Sequence, residues 1–334
     1  MTKIAKIFCI LWLAGAFSAV AQAQRLGYVI SPTNGESVLF ETSLRQTVKA
    51  LTDSIADGRA TGTEGGLQAA RWLENQFREI GLKPLAGRGI RQLIRTDNGS
   101  EGQNLIALVP GQDTLKKYVV VMAHYDNLGV LSGTLYPGAD SNASGVAALL
   151  EVARMFVRMH DAGKAYEQRL LIVALDGKEQ NLSGSRQLLK SLQSGSLKNP
   201  DSGAPITLAD ISLVVNLDQL GSTLAPVKEN HLNYLLMLSE EATGRRKSAE
   251  SVNRLRHLGL ELTYDYYGSK DFTRLFYRRI SDQCPFMEAG VPAVMFTSGI
   301  TLNNNKPYDD AASLDYPMLL RRVRLIYYYL ERLL

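Results

Sequence analysis

Apolar positions along this chain recur in two different periods. Ala70, Leu73, Phe77 and Ile80 fall at the spacing of one helix face, with Gly81 placed to cap the end and Pro84 to prevent continuation. Ser43 to Asp53 reads as an earlier helix, and Gly58-Arg59-Ala60-Thr61-Gly62-Thr63 as the glycine-punctuated loop between the two. Farther on, short runs become apolar at every position, as in Val119-Val120-Val121-Met122 and Leu170-Leu171-Ile172-Val173. Such runs suit strands that are covered on both faces. The pattern predicts strands at Asn104 to Val109, Tyr118 to Ala123, Arg169 to Leu175, Ile211 to Leu217, Tyr234 to Leu238 and Ala293 to Phe296. Helices are expected at Ser144 to Phe156, near Ser185 to Leu192, and from Pro317 to Leu333. This alternation predicts an α/β fold of three layers, a mostly parallel central sheet covered by helices on both faces.

The first residues follow another logic. Lys3 and Lys6 precede an apolar run from Ile7 to Val20 and then Ala21-Gln22-Ala23, the small-x-small pattern of a cleavable signal peptide. Residues 1–23 are therefore read as a signal, with a periplasmic or secreted destination and no membrane span after cleavage. Residues 24–334 are read as a single domain with an N-terminal helical segment over 40–87. Without Lys3 and Lys6, 35 of the 37 basic residues remain against 33 acidic ones, a balance that argues against a nucleic-acid partner. Cys9 leaves with the signal and Cys284 has no second cysteine to pair with, so no internal disulfide is expected. A hydrophobic content of 45% suits a globular protein with a large core.

In open α/β sheets, ligands bind beyond the carboxyl ends of strands. Four places qualify: His124-Tyr125-Asp126, Asp176 to Glu179, Asp218, and the loop from Ser298 to Asp310. Together with Gly58 to Thr63, Ala69 to Gly87, Gly138 to Gly145 and Ser281 to Tyr316, these segments resemble the co-catalytic zinc aminopeptidases, a family that includes glutaminyl cyclases and a folate-releasing carboxypeptidase. The resemblance covers most of the chain after residue 23 and implies a phosphorylase/hydrolase-like three-layer fold. It also implies zinc as the cofactor, peptides as substrates, and removal of N-terminal residues as the activity. In an active member two zinc ions share a bridging aspartate, polarise the scissile carbonyl and acidify a water whose proton a glutamate collects.

Residue by residue, the resemblance makes His124 a metal ligand, with Asp126 orienting its ring from behind. The family writes Gly-Ala-Asp-Asp-Asn-Ala-Ser-Gly where this chain has Gly138-Ala139-Asp140-Ser141-Asn142-Ala143-Ser144-Gly145, so the bridging position is Ser141. A one-residue shift would return Asp140 to that place. Two glutamates, a base and then a ligand, become Lys178 and Glu179. Asp218 keeps its place as a ligand in Asn216-Leu217-Asp218. The last histidine is lost: Gly299-Ile300-Thr301 and Asn305-Lys306-Pro307 carry none, and Gln283 replaces a further histidine of the family.

These substitutions leave His124, Glu179 and Asp218, with Asp140 in reserve, as metal-site residues and predict zinc binding that is weak or absent. Lys178 at the base position carries a positive charge unless desolvated, and is expected to stand in for a metal ion among acidic groups. Another reading pairs Ser141 with Lys178 as nucleophile and base. Three functions stay open: a metallo-exopeptidase impaired at its bridge, base and last ligand; an exopeptidase or cyclase-like enzyme working with one ion; and a non-catalytic protein that holds a peptide, glycan or protein partner. Tyr264, Tyr266 and Tyr267 form an aromatic patch whose plainer reading is packing. Oligomeric state is not legible.

Overall fold

A computed structural model describes residues 35–53, 55–85, 87, 89–111, 117–239, 243–266 and 268–334. The signal-like segment and Tyr267 lie outside the described residues.

The chain enters through two helices, α1 (Glu41–Thr52) and α2 (Glu64–Ile80). In α2 the predicted apolar positions Ala70, Leu73, Phe77 and Ile80 are all buried. Thr63 caps its first turn by accepting from the Gly66 amide, and Gly81 ends it in the left-handed conformation. A central sheet of nine strands follows: β1 (Lys83–Pro84), β2 (Arg91–Arg95), β3 (Glu101–Leu108), β4 (Tyr118–His124), β5 (Arg169–Leu175), β6 (Ile211–Leu217), β7 (Tyr234–Ser239), β8 (Glu261–Thr263) and β9 (Ala293–Thr297). Their order is β1-β3-β5-β4-β6-β9-β7-β8, with β2 also pairing β3. The centre β5-β4-β6-β9 is parallel. Strand β3 joins it antiparallel on one side and β7 on the other. The helical segment expected over 40–87 thus ends in β1, which pairs with β3.

Every residue of β4 and β5 is buried. Along β4 the side chains alternate between two cores: Val119, Val121 and Ala123 face the core shared with α1, α2, α3 (Ser144–Asp161) and α8 (Tyr316–Leu333). Val120 and Met122 face the core under α4 (Ser183–Gln193) and α7 (Cys284–Glu288). This is the three-layer arrangement expected from strands apolar on both faces. Helix α3 runs one turn beyond its predicted end because Val157 and Met159 continue the buried stripe.

Helices α5 (Thr243–Leu255) and α6 (Lys270–Arg279) have no counterpart in the sequence reading. Their composition hides them. In α5 only Ala249 and Val252 are buried apolar residues, and α6 buries only Phe276 and Tyr277 among four basic side chains. The parallel centre matters most for function, because it brings the carboxyl ends of β4, β5, β6 and β9 to one end of the sheet.

A charged centre at the carboxyl end of the sheet

His124, the last residue of β4, is fully buried. Its Nδ1 lies 3.1 Å from the backbone oxygen of Asp126. The Asp126 carboxylate is farther, 3.6 Å away, which is too long for a hydrogen bond. The ring is thus held through the main chain of Asp126, with the Asp126 carboxylate behind it, whose Oδ2 accepts from the Glu179 amide at 3.0 Å. On the other side His124 Nε2 faces Asp218 Oδ1 at 3.5 Å, and neither atom has a hydrogen-bond partner in the protein. Burial disfavours the charged imidazole, but Asp126 and Asp218 outweigh burial and the repulsion of Lys178, and push His124 up to about 10.

Lys178 and Glu179 sit in the turn between β5 and α4. Lys178 Nζ donates to Glu179 Oε1 at 2.7 Å, with the two side chains only 18% and 21% exposed. Burial pulls the ammonium toward neutrality, yet Asp218, then Glu179 and Asp126, hold it well above the usual lysine range. Lys178 is therefore a cation, and the pairing of Ser141 with Lys178 as nucleophile and base finds no proton acceptor. Burial also works to raise Asp218, but His124 and Lys178 keep it below the usual carboxylate range.

The turn that carries Ser141 is fixed from a distance. Asp309 accepts from the amides of Asp140, at 2.8 Å, and Ser141, at 3.1 Å. Asp140 directs Oδ1 to the Ser144 hydroxyl and the Gly221 amide, at 2.9 and 2.7 Å. Its contacts hold the start of α3 against the loop after β6, while its Oδ2 is buried with no partner in the protein. Asn142 ties two strand ends together by donating to His124 O at 3.2 Å and Leu217 O at 2.9 Å. Gly145 has to be glycine here: a Cβ would lie 2.2 Å from Asn142 Oδ1 and 2.6 Å from Leu217 O. The Ser141 hydroxyl is buried and has no partner in the protein.

Asp282 was missed by the sequence reading, although Ser281-Asp282 lies within the segment that carried the resemblance. It is fully buried with both carboxylate oxygens unpartnered. Burial pushes it up to about 6, with His124 and Lys178 pulling down and Asp126 and Asp218 pushing up. Gln283 is spent on structure, accepting from Asn216 at 2.9 Å and donating to Tyr277 O at 2.7 Å. Thr301 is buried, but Asn305 is exposed, in a turn with φ of 56°. Of the aromatic patch, Tyr266 packs against Phe272 and Phe276, and Tyr264 lies under the Arg246 guanidinium. Both are accounted for by packing.

These residues do not fit a pair of zinc ions. His124 Nε2 and Asp218 Oδ1 are spaced as two ligands of one ion would be. The third carboxylate, Glu179, is held by Lys178, and Ser141 offers a neutral hydroxyl where two ions would need a shared anion. Among the described residues, no three His, Cys, Asp or Glu side chains are grouped so as to hold a metal.

Residues 104–330 match Peptidase family M28. A BOS complex subunit NCLN of Gallus gallus is 38% identical over 155 residues, which are 44% of this chain and 26% of that protein. The match thus spans about a quarter of that relative's length. A zinc aminopeptidase from Bacillus subtilis superposes with a TM-score of 0.66 at 14% identity, covering 88% of this chain and 95% of that one. The glutaminyl cyclase of Macrostomum lignano gives 0.67 at 16% identity, covering 90% and 91%. At such identities the two structures speak for the fold alone.

Proposed function

The chain belongs to peptidase family M28, and from that premise we propose that it is a catalytically silent member, exported from the cytoplasm, that holds a peptide or protein segment at the carboxyl end of the sheet. One observation carries this reading. The position of the proton-collecting base is taken by an ammonium, and that ammonium is bonded to the neighbouring carboxylate at 2.7 Å. A base lost on its own lowers a rate by roughly 10² to 10⁴. Here the bridging carboxylate and the last histidine are replaced as well, by Ser141 and Asn305, so zinc is weakly held or not held.

Export is inferred from Lys3, Lys6 and the run from Ile7 to Val20, and the compartment is periplasmic or extracellular. Among the described residues no helix is long and apolar enough to cross a membrane. The family acts on peptides, and one of its relatives is named as the subunit of a complex. Both facts favour a peptide or protein ligand over a glycan.

A second reading has its own observation. The unpartnered His124 Nε2 and Asp218 Oδ1, 3.5 Å apart, suit a single ion, and so a one-metal exopeptidase or cyclase. One experiment separates the two: metal content after dialysis against zinc, with hydrolysis of aminoacyl p-nitroanilides and cyclisation of N-terminal glutamine peptides measured on the same sample. Sub-stoichiometric zinc and no turnover are expected. About one zinc per chain with turnover establishes the second reading, and about two with turnover overturns both.

A further inference from the structure

Asp126, Asp218, Asp282 and Glu179 bring four carboxyl groups to one end of the sheet, three of them fully buried. Collecting carboxylates away from water is unfavourable unless a cation is held among them. In the zinc aminopeptidases to which this fold is similar, the metal has that part. Here the chain carries a cation of its own at the same place. Lys178 extends from the turn after β5 with its side chain four-fifths buried, bonds Glu179, and lies in the field of Asp218 and Asp126.

We propose that Lys178 is a resident cation of this centre beside His124, a covalently attached ammonium that takes the place of the metal and makes the folding of the strand-end loops independent of zinc. The inference rests on the silent-member reading and goes beyond it, because loss of catalysis by itself does not require that the charge be replaced. Geometry favours replacement over an incidental surface ion pair. Exposed pairs contribute little, whereas removing one partner of a buried pair leaves the other charge uncompensated. A lysine at this point of an active member would oppose zinc directly, so the two cations exclude each other.

The test uses the full chain from residue 24, with thermal unfolding and zinc stoichiometry as readouts. Wild type is expected to unfold at the same temperature with EDTA and with zinc. Lys178→Met, which keeps the length and removes the charge, should lose about 10 °C. Lys178→Glu should lose more, regain much of the loss when zinc is added, and bind about one zinc per chain. Lys178→Arg should stay within a few degrees of wild type. The double variant Lys178→Met with Glu179→Gln should be more stable than Lys178→Met alone, because the stranded carboxylate is gone. If Lys178→Met does not fold, the double variant and Lys178→Arg still decide: both folding supports the proposal, and an arginine variant as damaged as the methionine one overturns it. A Lys178→Met protein as stable as wild type, or a Lys178→Glu protein indifferent to zinc, also overturns it. Either result leaves the silent-member reading intact if wild type remains metal-free and inactive. Stoichiometric zinc and turnover in wild type sink both.

Discussion

Two groups of buried polar residues meet at the carboxyl end of the sheet, and they differ in how their hydrogen bonds are closed. Arg59 and Asp176 belong to the first. Arg59 has no exposed surface and donates to Tyr125 O at 2.6 Å, Pro137 O at 2.7 Å, Gly138 O at 2.9 Å and Leu51 O. Asp176 accepts at both oxygens: the Thr61 hydroxyl and Gly177 amide on Oδ1, the Gln103 amide and Tyr125 hydroxyl on Oδ2. The second group comprises His124, Ser141, Asp218 and Asp282, each with a buried polar atom that no protein group satisfies. Buried polar atoms in native proteins are nearly always paired. The contrast separates a frame, residues whose bonds are closed within the protein, from an open group, residues that keep an open buried atom beside them.

The largest expected effect comes from the frame. Arg59→Met strands four carbonyl oxygens in a water-poor interior and should lower the free energy of unfolding by about 4 kcal/mol, read as a shift of the urea midpoint. A change under 1 kcal/mol would mean that the carbonyls find other donors and that the frame is not closed through this side chain. Asp176→Asn should follow. It sets an amide NH₂ against donors that already point at the carboxylate, and a loss of roughly 2–3 kcal/mol is expected. A neutral result there would place Asp176 with the open group.

The sequence exposes the open group better than the frame. Strand ends in a parallel sheet are readable, because runs such as Val119 to Met122 announce strands covered on both faces, and the polar residues that follow them then stand out. That route reaches His124, Lys178, Glu179 and Asp218. It also covers the loop that holds Asp309 but not the pairing this residue makes, and it does not reach Asp282, Arg59 or Asn142: Asp309 acts on amides 168 and 169 residues earlier, and Arg59 on carbonyls 78 and 79 residues later. No local pattern encodes such pairings. Helices α5 and α6 are held by few buried contacts: α5 buries Ala249 and Val252, and of Phe272, Leu275 and Phe276, which α6 carries at helical spacing, only Phe276 is buried.

Asp282→Asn sharpens the comparison by reversing the sign. Burial raises the folded-state pKa of Asp282 to about 6, above its ordinary 3.8. Ionisation therefore opposes folding, and the opposition is absent below about pH 4, grows as pH rises through about 6, and is complete above that. The asparagine variant should nearly match wild type at pH 4 and exceed it by roughly 2–3 kcal/mol at pH 8, read from unfolding curves at the two pH values. Equal stability at pH 8 would show that the carboxylate has found compensation and belongs to the frame.

The smallest effect is expected at Ser141. Its neighbours Asp140 and Asn142 are bound on several sides, yet its own hydroxyl contributes no hydrogen bond within the protein, so Ser141→Ala should change stability by no more than about 0.5 kcal/mol. The position is informative because the turn around it is held by backbone contacts: Asp309 grips the Asp140 and Ser141 amides whatever side chain stands at 141. A carboxylate lost from such a turn leaves the turn in place. A loss above 2 kcal/mol in Ser141→Ala would therefore mean that the hydroxyl has taken over a structural bond, and that the bridging position has been absorbed into the frame.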